Sequence, residues 1–277
     1  MVTVEIIPIG NELLIGDVAD TNTHWLIQRV TLLGAHVRRV TLVRDDPSAI
    51  GDALHGAIGR GTGVIFTSGG LGPTADDLTL AAIGQALDRP MGLNQTALAM
   101  VERRYRELSA LGFGAPPGVA AWRRKQAILP AGSIPIFNPV GGAPAVVLRL
   151  GDEAEGRAST IIALPGVPEE LTGIFEDTLQ PTLRELFGEA AYRERALWVT
   201  VEDESWIAAE LAQVAVDHPE VYIKSRAQRF VAGRRLQVTV SAAGSDRAEV
   251  DAEVELAMTA LSGALRAAGV PFEWADA

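Results

Sequence analysis

Gly69-Gly70-Leu71-Gly72-Pro73-Thr74-Ala75-Asp76-Asp77 follows the apolar run Val64-Ile65-Phe66-Thr67 and precedes Leu78 to Leu87. The run reads as a buried strand and the segment after the glycines as a helix. Strand, glycine loop and helix start together form a natural anion site. Loop N–H groups can turn toward one point, and a helix N-terminus adds partial positive charge. Two adjacent carboxylates at that point, Asp76 and Asp77, would repel a phosphate unless a cation sat between them. The stretch therefore points to a phosphate-bearing ligand with a divalent metal, and to chemistry rather than simple binding. A reading without a ligand also exists. Thr74 and Asp77 have the spacing of a capping box, and the glycines that of a tight turn.

Upstream, Val4 to Ile9 reads as a first strand, ending at Pro8 and Gly10. Thr21 to Leu33 reads as a helix, with Leu26, Val30 and Leu33 on one stripe and Gly34 as its stop. Val37 to Val43 reads as strand two. Asp46-Pro47 is a cap followed by a first-turn proline and opens a helix to Ile58. The order β-α-β-α-β-α with short links predicts an α/β sandwich around a largely parallel sheet. Ligands of such sheets sit at the carboxyl ends of the strands, and the loops at Gly10 and Gly69 both lie there.

Downstream, Asn94 to Leu111 reads as a charged helix with a solvated outer face, and Leu111 to Val119 as an irregular loop. Ala145 to Leu150 and Thr160 to Leu164 read as paired strands joined by an exposed loop at Gly151 to Ala158. Pro165-Gly166-Val167-Pro168-Glu169-Glu170 turns into another helix. The character changes near Phe187-Gly188, which divides the chain into 1–188 and 189–277. Arg195–Val201, Trp206–Val216, Val221–Lys224, Leu236–Ser241 and Asp246–Ala267 then read as β-α-β-β-α. This is a small α+β unit whose last helix carries Val250, Val254, Met258, Leu261 and Leu265 on one stripe.

The composition excludes several classes. The 277 residues are 48% apolar, enough for one large domain and a small one. Formal charge is −11, from 24 basic and 35 acidic residues, which leaves no basic face for non-specific nucleic-acid binding. There is no cysteine, so disulfides and thiolate metal sites are out. The N-terminus lacks the pattern of a signal peptide, and no apolar run approaches the ~20 residues of a membrane span. The expectation is a cytoplasmic protein with no membrane partner. His24, His36, His55 and His218 show no metal or triad spacing. There is no Gly-x-Ser-x-Gly elbow and no P-loop.

Other polar clusters read both ways. Glu12, just past the first strand, is placed for metal or hydroxyl contact, or is a solvated turn acid. Asp20-Thr21-Asn22 caps a helix and can also touch a ligand from the helix start. Asn138-Pro139-Val140-Gly141-Gly142 is a second glycine-containing loop. Glu170 favours its own helix through the dipole.

Taken in order, Gly10-Asn11-Glu12-Leu13-Leu14, Gly16, Asp20-Thr21-Asn22, Gly69 to Asp77 and Leu164-Pro165-Gly166-Val167-Pro168-Glu169-Glu170 resemble the N-terminal domain of the CinA (competence/damage-inducible protein A) family. That domain is similar to the molybdopterin-binding fold of MogA-type and gephyrin-type proteins. The resemblance covers residues 2 to 180. It implies a three-layer α/β/α sandwich with a mostly parallel, mixed sheet. It also implies metal-dependent hydrolysis of the pyrophosphate of ADP-ribose or FAD, releasing AMP. The metal would be magnesium, manganese or cobalt, often with potassium. The alternatives are a molybdopterin-binding or adenylylating protein, and a nucleotide-binding module without catalysis.

On this reading Asp76, Asp77 and Glu12 are the catalytic and metal-binding set. Phosphate and nucleotide contacts fall to Asn11, Asp20, Asn22, Ser68, Gly69, Gly70, Gly72, Pro73, Thr74, Asn138, Gly141, Pro165, Gly166 and Glu170. Residues 190–277 resemble the small KH-type domain that follows in CinA, without its Gly-x-x-Gly clamp. Arg193 to Ala277 holds 9 basic and 14 acidic residues, so this unit is expected to be structural or dimerising, in a homodimer. Two features depart from the family. Gly141-Gly142-Ala143-Pro144-Ala145 stands where the family usually has Gly-Thr-Ala-Pro-Gly, so a threonine hydroxyl is missing and the last residue is bulkier. The chain also has no room for the C-terminal amidase domain of CinA, and amidase activity is not expected.

Overall fold

The computed structural model describes residues 2–112, 121–151, 158–188, 191–227, 235–244 and 246–275. Most of the loop expected at Leu111 to Val119, and residues 152–157 of the loop expected at Gly151 to Ala158, lie outside the described residues. The chain divides into two compact units. One holds Val2–Val30 and His36–Leu186; the other holds Thr31–Ala35 and the chain from Phe187 onward.

The first unit opens with β1 (Thr3–Pro8), α1 (Asn11–Leu14), α2 (Thr21–Leu32), β2 (His36–Val40), α3 (Pro47–Gly59), β3 (Val64–Ser68) and α4 (Thr79–Ala86). A two-stranded hairpin of β4 (Met91–Leu93) and β5 (Ile128–Pro130) brackets α5 (Gln95–Ala110) and α6 (Ala121–Lys125). Then come β6 (Ile134–Ile136), β7 (Ala145–Leu150), β8 (Ser159–Leu164), α7 (Pro168–Gly173), a π-helical turn (Ile174–Thr178) and α8 (Gln180–Phe187).

The main sheet runs β2-β1-β3-β8-β7-β6. Its first four strands are parallel, β7 runs antiparallel to them, and β6, antiparallel to β7, returns to their direction, so the sheet is mixed. Every residue of β3 and β8 is buried. That is why these strands read as continuous apolar runs rather than alternating ones: helices cover both faces of a parallel sheet. On one face Ile7, Ile65 and Ile161 pack with Ile50 and Leu54 of α3 and Ile83 of α4. On the other, Phe66 lies 6.3 Å from Phe175 of the π-helical turn, whose ring meets Trp25 of α2 edge-on at 5.2 Å. These are the three layers of an α/β/α sandwich.

Local signals hold where the expected residues cap. Asp46 accepts the Ala49 N–H at 2.9 Å with Pro47 at the first turn of α3. They fail where strands are short. β2 ends at Val40, three residues early, and Val43 returns only as a bridge to Ile9. The strands β4, β5 and β6 have three residues each and no readable periodicity.

The second unit is an antiparallel sheet, β10-β11-β9-β12. It is built from β9 (Ala191–Thr200), a 3-10 turn (Glu204–Ile207), α9 (Ala208–Asp217), β10 (Tyr222–Ala227), β11 (Arg235–Gly244), α10 (Arg247–Ala267) and β12 (Phe272–Trp274). The expected stripe on α10 is buried, packing with Leu197, Val199, Val238 and Val240. Asp246 caps the helix by accepting the Ala248 N–H at 2.7 Å. The helix expected from Trp206 begins only at Ala208, and Trp206 is an exposed residue of the 3-10 turn. The short β12 carries no sequence signal and completes the sheet edge.

One buried charge stands in the core of the first unit. Glu5 on β1 is 1% exposed. Its carboxylate accepts Arg60 Nε at 2.8 Å, Arg60 Nη2 at 2.6 Å and the Thr62 hydroxyl at 2.7 Å, tying the end of α3 to the sheet. The Arg60 hydrogen bonds, and then that of Thr62, hold Glu5 below its ordinary 4.5 against the cost of burial. A lowered folded value means this stabilisation is full above pH 4.5 and is lost as pH falls through the folded value. Thr62→Val keeps the shape and removes one donor to a charged acceptor. It should cost about 1.5–3 kcal/mol in urea unfolding at pH 7, a deficit that shrinks in acid as Glu5 protonates.

Candidate active site at the carboxyl ends of the parallel strands

β1, β3 and β8 all end at one edge of the sheet, in Ile9-Gly10, Gly69 and Pro165-Gly166. β1 sits between β2 and β3, so the chain reverses direction across the sheet at β1 and opens a crevice there. Backbone bonds stitch the three ends together. The Ile9 N–H donates to the Ser68 carbonyl at 2.8 Å, and the Gly69 N–H to the Leu164 carbonyl at 3.0 Å. Gly69 has φ +105°, and a Cβ there would lie 2.1 Å from the Ile9 carbonyl oxygen, so no other residue fits the crossing. Gly70 (φ +66°) is packed under Thr79, whose hydroxyl donates to the Gly69 carbonyl at 2.8 Å.

Of the capping box expected at Thr74 and Asp77 only the return half forms, and it does not start the helix. The Thr74 N–H donates to Asp77 Oδ2 at 2.8 Å, and its hydroxyl does so at 2.5 Å. α4 begins only at Thr79, with Leu78 as a cap that makes no side-chain bond. The Thr79 N–H is spent on the Gly70 carbonyl at 3.2 Å. The contact therefore closes a turn in the loop, and Asp76 and Asp77 precede the helix instead of capping it. Lys125 clamps the same turn by donating to the Thr74 carbonyl and, at 2.7 Å, to the Asp77 carbonyl. The Thr74 hydroxyl beside it, its own N–H and the Lys125 charge hold Asp76 below the usual carboxylate range.

A cleft of about 600 Å³ opens over these loops. Of the expected residues, Glu12, Gly69, Gly70, Gly72, Pro73, Asp76, Asp77, Pro165, Gly166 and Glu170 line it. Ser68, Asp20 and Asn22 line a smaller adjoining recess of about 80 Å³, together with Glu12 and Gly166. There Asp20 caps α2 by accepting the Thr23 N–H at 2.9 Å, and Asn22 donates to the Gly166 carbonyl at 2.7 Å.

Asn11, Thr74, Asn138 and Gly141 are not among the lining residues of either space. Asn138 is 2% exposed and spends its amide inside its own loop. It accepts from the N–H groups of Val140 and Gly141 at 2.9 and 2.8 Å, and donates to the Ala143 carbonyl at 2.8 Å and to Glu170 Oε2 at 2.7 Å. It is the strut that carries Glu170. Burial pushes the Glu170 carboxyl up, against the Asn138 hydrogen bond and the Arg104 charge.

Sequence reasoning missed Asp45, Tyr105 and Gln126, all of which line the cleft. Asp45 accepts the Asn11 N–H at 2.8 Å; its neighbour Asp46 drew attention as the cap. Tyr105 lies on α5, the helix expected to be a solvated outer face. That expectation is corrected on one side of the helix. Arg104 is only 13% exposed and donates to the Val140 carbonyl at 2.5 Å, and Arg103 lies over the Phe137 ring at 4.5 Å. A Cβ on Gly142 would sit 2.6 Å from the Tyr105 hydroxyl. The space beside Gly142, where the threonine of the CinA pattern is missing, is thus filled by a hydroxyl from another helix.

Five carboxylates line this cleft: Glu12, Asp45, Asp76, Asp77 and Glu170. Among the described residues no group of three or more His, Cys, Asp or Glu is gathered to hold a metal ion. Glu12, Asp76 and Asp77 therefore share the cleft without forming a closed cage. Such a donor set fits an ion that takes one or two carboxylates and completes its shell with ligand phosphates and water.

A family model described as "Probable molybdopterin binding domain" matches residues 5–185. A protein of Aeropyrum pernix is 41% identical over 249 residues, covering 90% of this chain and 88% of that one. One from Pyrobaculum calidifontis is 35% identical over 262 residues, covering 94% and 95%. Among solved structures, the protein CinA from Thermoplasma acidophilum, described as of unknown function, superposes with a TM-score of 0.56 at 31% identity. It covers 65% of this chain and 98% of its own.

The raised Glu170 value has a testable sign. A carboxyl that is easier to protonate when folded costs nothing below pH 4.5 and progressively more as pH rises through its folded value. Glu170→Gln keeps an oxygen for Asn138 and removes the charge. Its thermal midpoint should exceed that of the parent at pH 7, and the advantage should vanish in scans at pH 4.

Proposed function

Because the chain belongs to the probable molybdopterin binding domain family, we propose that its cleft binds a phosphorylated pterin of the molybdopterin class. The observation that carries the reading is the glycine loop. The N–H groups of Gly70, Leu71 and Gly72 donate to no described group, yet all three residues line the cleft. Consecutive unpaired N–H groups beside a strand end are a binding concavity for an anion. In a protein of net charge −11, within a ring of carboxylates, a bare phosphate would be repelled. The phosphate is therefore taken together with a divalent cation, as magnesium, manganese or cobalt, held by Asp76 with Asp77 or Glu12. When bound, the cation supplies charge neutralisation between phosphate and carboxylates.

A second reading rests on the number of carboxylates, which exceeds what binding needs. Hydrolysis of a pyrophosphate bond, as in ADP-ribose or FAD, would use the remaining ones to orient water and take its proton. Glu170 is the natural acceptor on this reading, since it lines the cleft and burial raises its pKa.

Calorimetry with a pterin phosphate, with and without magnesium, decides the first reading; an assay for AMP released from ADP-ribose and FAD decides the second. Binding that requires the metal is expected. Asp76→Asn should weaken it about 10- to 100-fold, the worth of a contact to a charged group. AMP release without pterin binding would replace the first reading by the second, and neither activity would end both.

A further inference from the structure

The second unit is negative in sum, but its charges are divided in space. From Val221 to Ser245 the chain has five basic residues and no acidic one. That run holds β10 and β11. Six carboxylates lie instead on the helices, Glu210 and Asp217 on α9 and Glu249, Asp251, Glu253 and Glu255 on α10.

Both helices pack on one face of the sheet. Leu211 and Val214 of α9 and the buried stripe of α10 meet Leu197, Val199, Leu236, Val238 and Val240. Alternation along the strands turns the residues between these to the opposite face, which neither helix covers. There the ladder sets side chains in rows. Arg226 of β10, Gln237 of β11 and Trp198 of β9 share one row, and Lys224, Thr239 and Ala196 the next.

Tyr222, Lys224 and Arg226 are exposed along the sheet edge. The ion pairs of this unit are made by Arg193, Arg195, Arg235 and Arg247, and Lys224 and Arg226 enter none with a described residue. The carboxylates on the strands of this face are already engaged. Glu194 accepts the Tyr192 hydroxyl at 2.7 Å, and Glu273 accepts Arg235. Cations on an edge strand can serve only to keep other strands from pairing with it. A half-buried indole two strands further in, on the same row as Arg226, has no part in such a guard.

We propose that this face binds single-stranded RNA. Phosphates run along β10 against Lys224 and Arg226, and a base stacks on Trp198. The sugar between them lies over β11, where the Gln237 amide is a partner for the 2′-hydroxyl. Neighbouring strands are about 4.8 Å apart, so the row from Arg226 to Trp198 spans about 10 Å, the reach of one nucleotide from phosphate to base. A free sheet face that joins a basic track to an aromatic ring is a platform for unpaired bases, whichever base they carry. Summed charge hides this face, because the acidic residues that outweigh it lie across the sheet on the helices.

The test is fluorescence polarisation of the full chain with a labelled oligouridylate of about 15 nucleotides, its deoxy counterpart, and poly-glutamate as a competitor. The oligouridylate should bind severalfold tighter than the deoxy strand. Two phosphate contacts should weaken binding about sevenfold between 50 and 200 mM salt. Lys224→Gln with Arg226→Gln, both exposed and safe for folding, should cost about tenfold or more and flatten that salt dependence. Trp198→Ala should weaken binding about fivefold or more, and Trp198→Phe, which keeps a ring, by less than about threefold. Arg247→Gln, on the helical side, should change nothing. No binding at the lower salt, or binding that survives the paired Lys224 and Arg226 changes, would overturn the proposal. Equal affinity for the deoxy strand would overturn the assignment to RNA. Displacement by poly-glutamate as effective as by unlabelled RNA would replace it with an acidic protein partner.

Discussion

Three parallel strands end side by side here because the α-carbon of Gly69 passes the Ile9 carbonyl with nothing between them. A Cβ would stand 2.1 Å from that oxygen. The same residue donates its N–H to Leu164, so the ends of β1, β3 and β8 are tied through one glycine. Everything that makes the cleft depends on this crossing. It brings the Glu12 loop, the glycine loop and the Pro165 turn to a single edge. It also uses up the N–H of Gly69 and the carbonyl of Ser68, so the first free donors fall at Gly70, Leu71 and Gly72. Gly70 also serves the fold, since it packs under Thr79 and its carbonyl accepts the Thr79 N–H at 3.2 Å.

Much of this was legible in the sequence. The continuous apolar runs of β3 and β8 reveal strands buried on both faces, and the stripe on α10 reveals one buried helix face. The loops at Gly10 and Gly69 could be placed at strand ends because the order β-α-β-α-β-α allows little else. Helix boundaries marked by a capping carboxylate, as at Asp46 and Asp246, came out close to the observed ones. The helix after the glycine loop, expected over Leu78 to Leu87, runs Thr79–Ala86, but the role expected of Thr74 and Asp77 as its cap did not appear. Thr74 and Asp77 satisfy each other inside the loop, and the helix starts with a hydrophobic cap that leaves no pattern to read.

The rest of the site was hidden for a different reason. Tyr105 and Gln126 are far from the loop in the chain, and each sits in a segment whose local pattern says something else. On α5 the charges Arg103, Arg104, Arg106 and Glu107 mimic a solvated face, although Arg104 is spent on the Val140 carbonyl. Gln126 lies just before a three-residue strand. Such contacts are fixed by the packing of α5 and α6 against the loops, and neither periodicity nor spacing carries that information. Asn138 shows the opposite error. It looked like a ligand group because a loop amide usually is one or the other, and the structure assigns all its bonds to the loop and to Glu170.

The glycines of the cleft share a further property that unites these cases. A Cβ on Gly10 would meet the Glu12 carboxylate at 2.4 Å, one on Gly72 the Asp77 carboxylate at 2.5 Å, and one on Gly141 the Glu170 carboxylate at 2.0 Å. One on Gly142 would meet the Tyr105 hydroxyl at 2.6 Å. In each case the glycine is bare so that a polar tip can lie against the backbone. The loops contribute shape and N–H groups, and the polar side-chain groups of the cleft rest on them. A loop built this way can lose a hydroxyl of its own, as at Gly142, and still present one, provided that another element supplies it. The missing threonine of the CinA pattern and the inward turn of Tyr105 are then linked by packing, since a side chain at position 142 would require the Tyr105 phenol to shift from its present place.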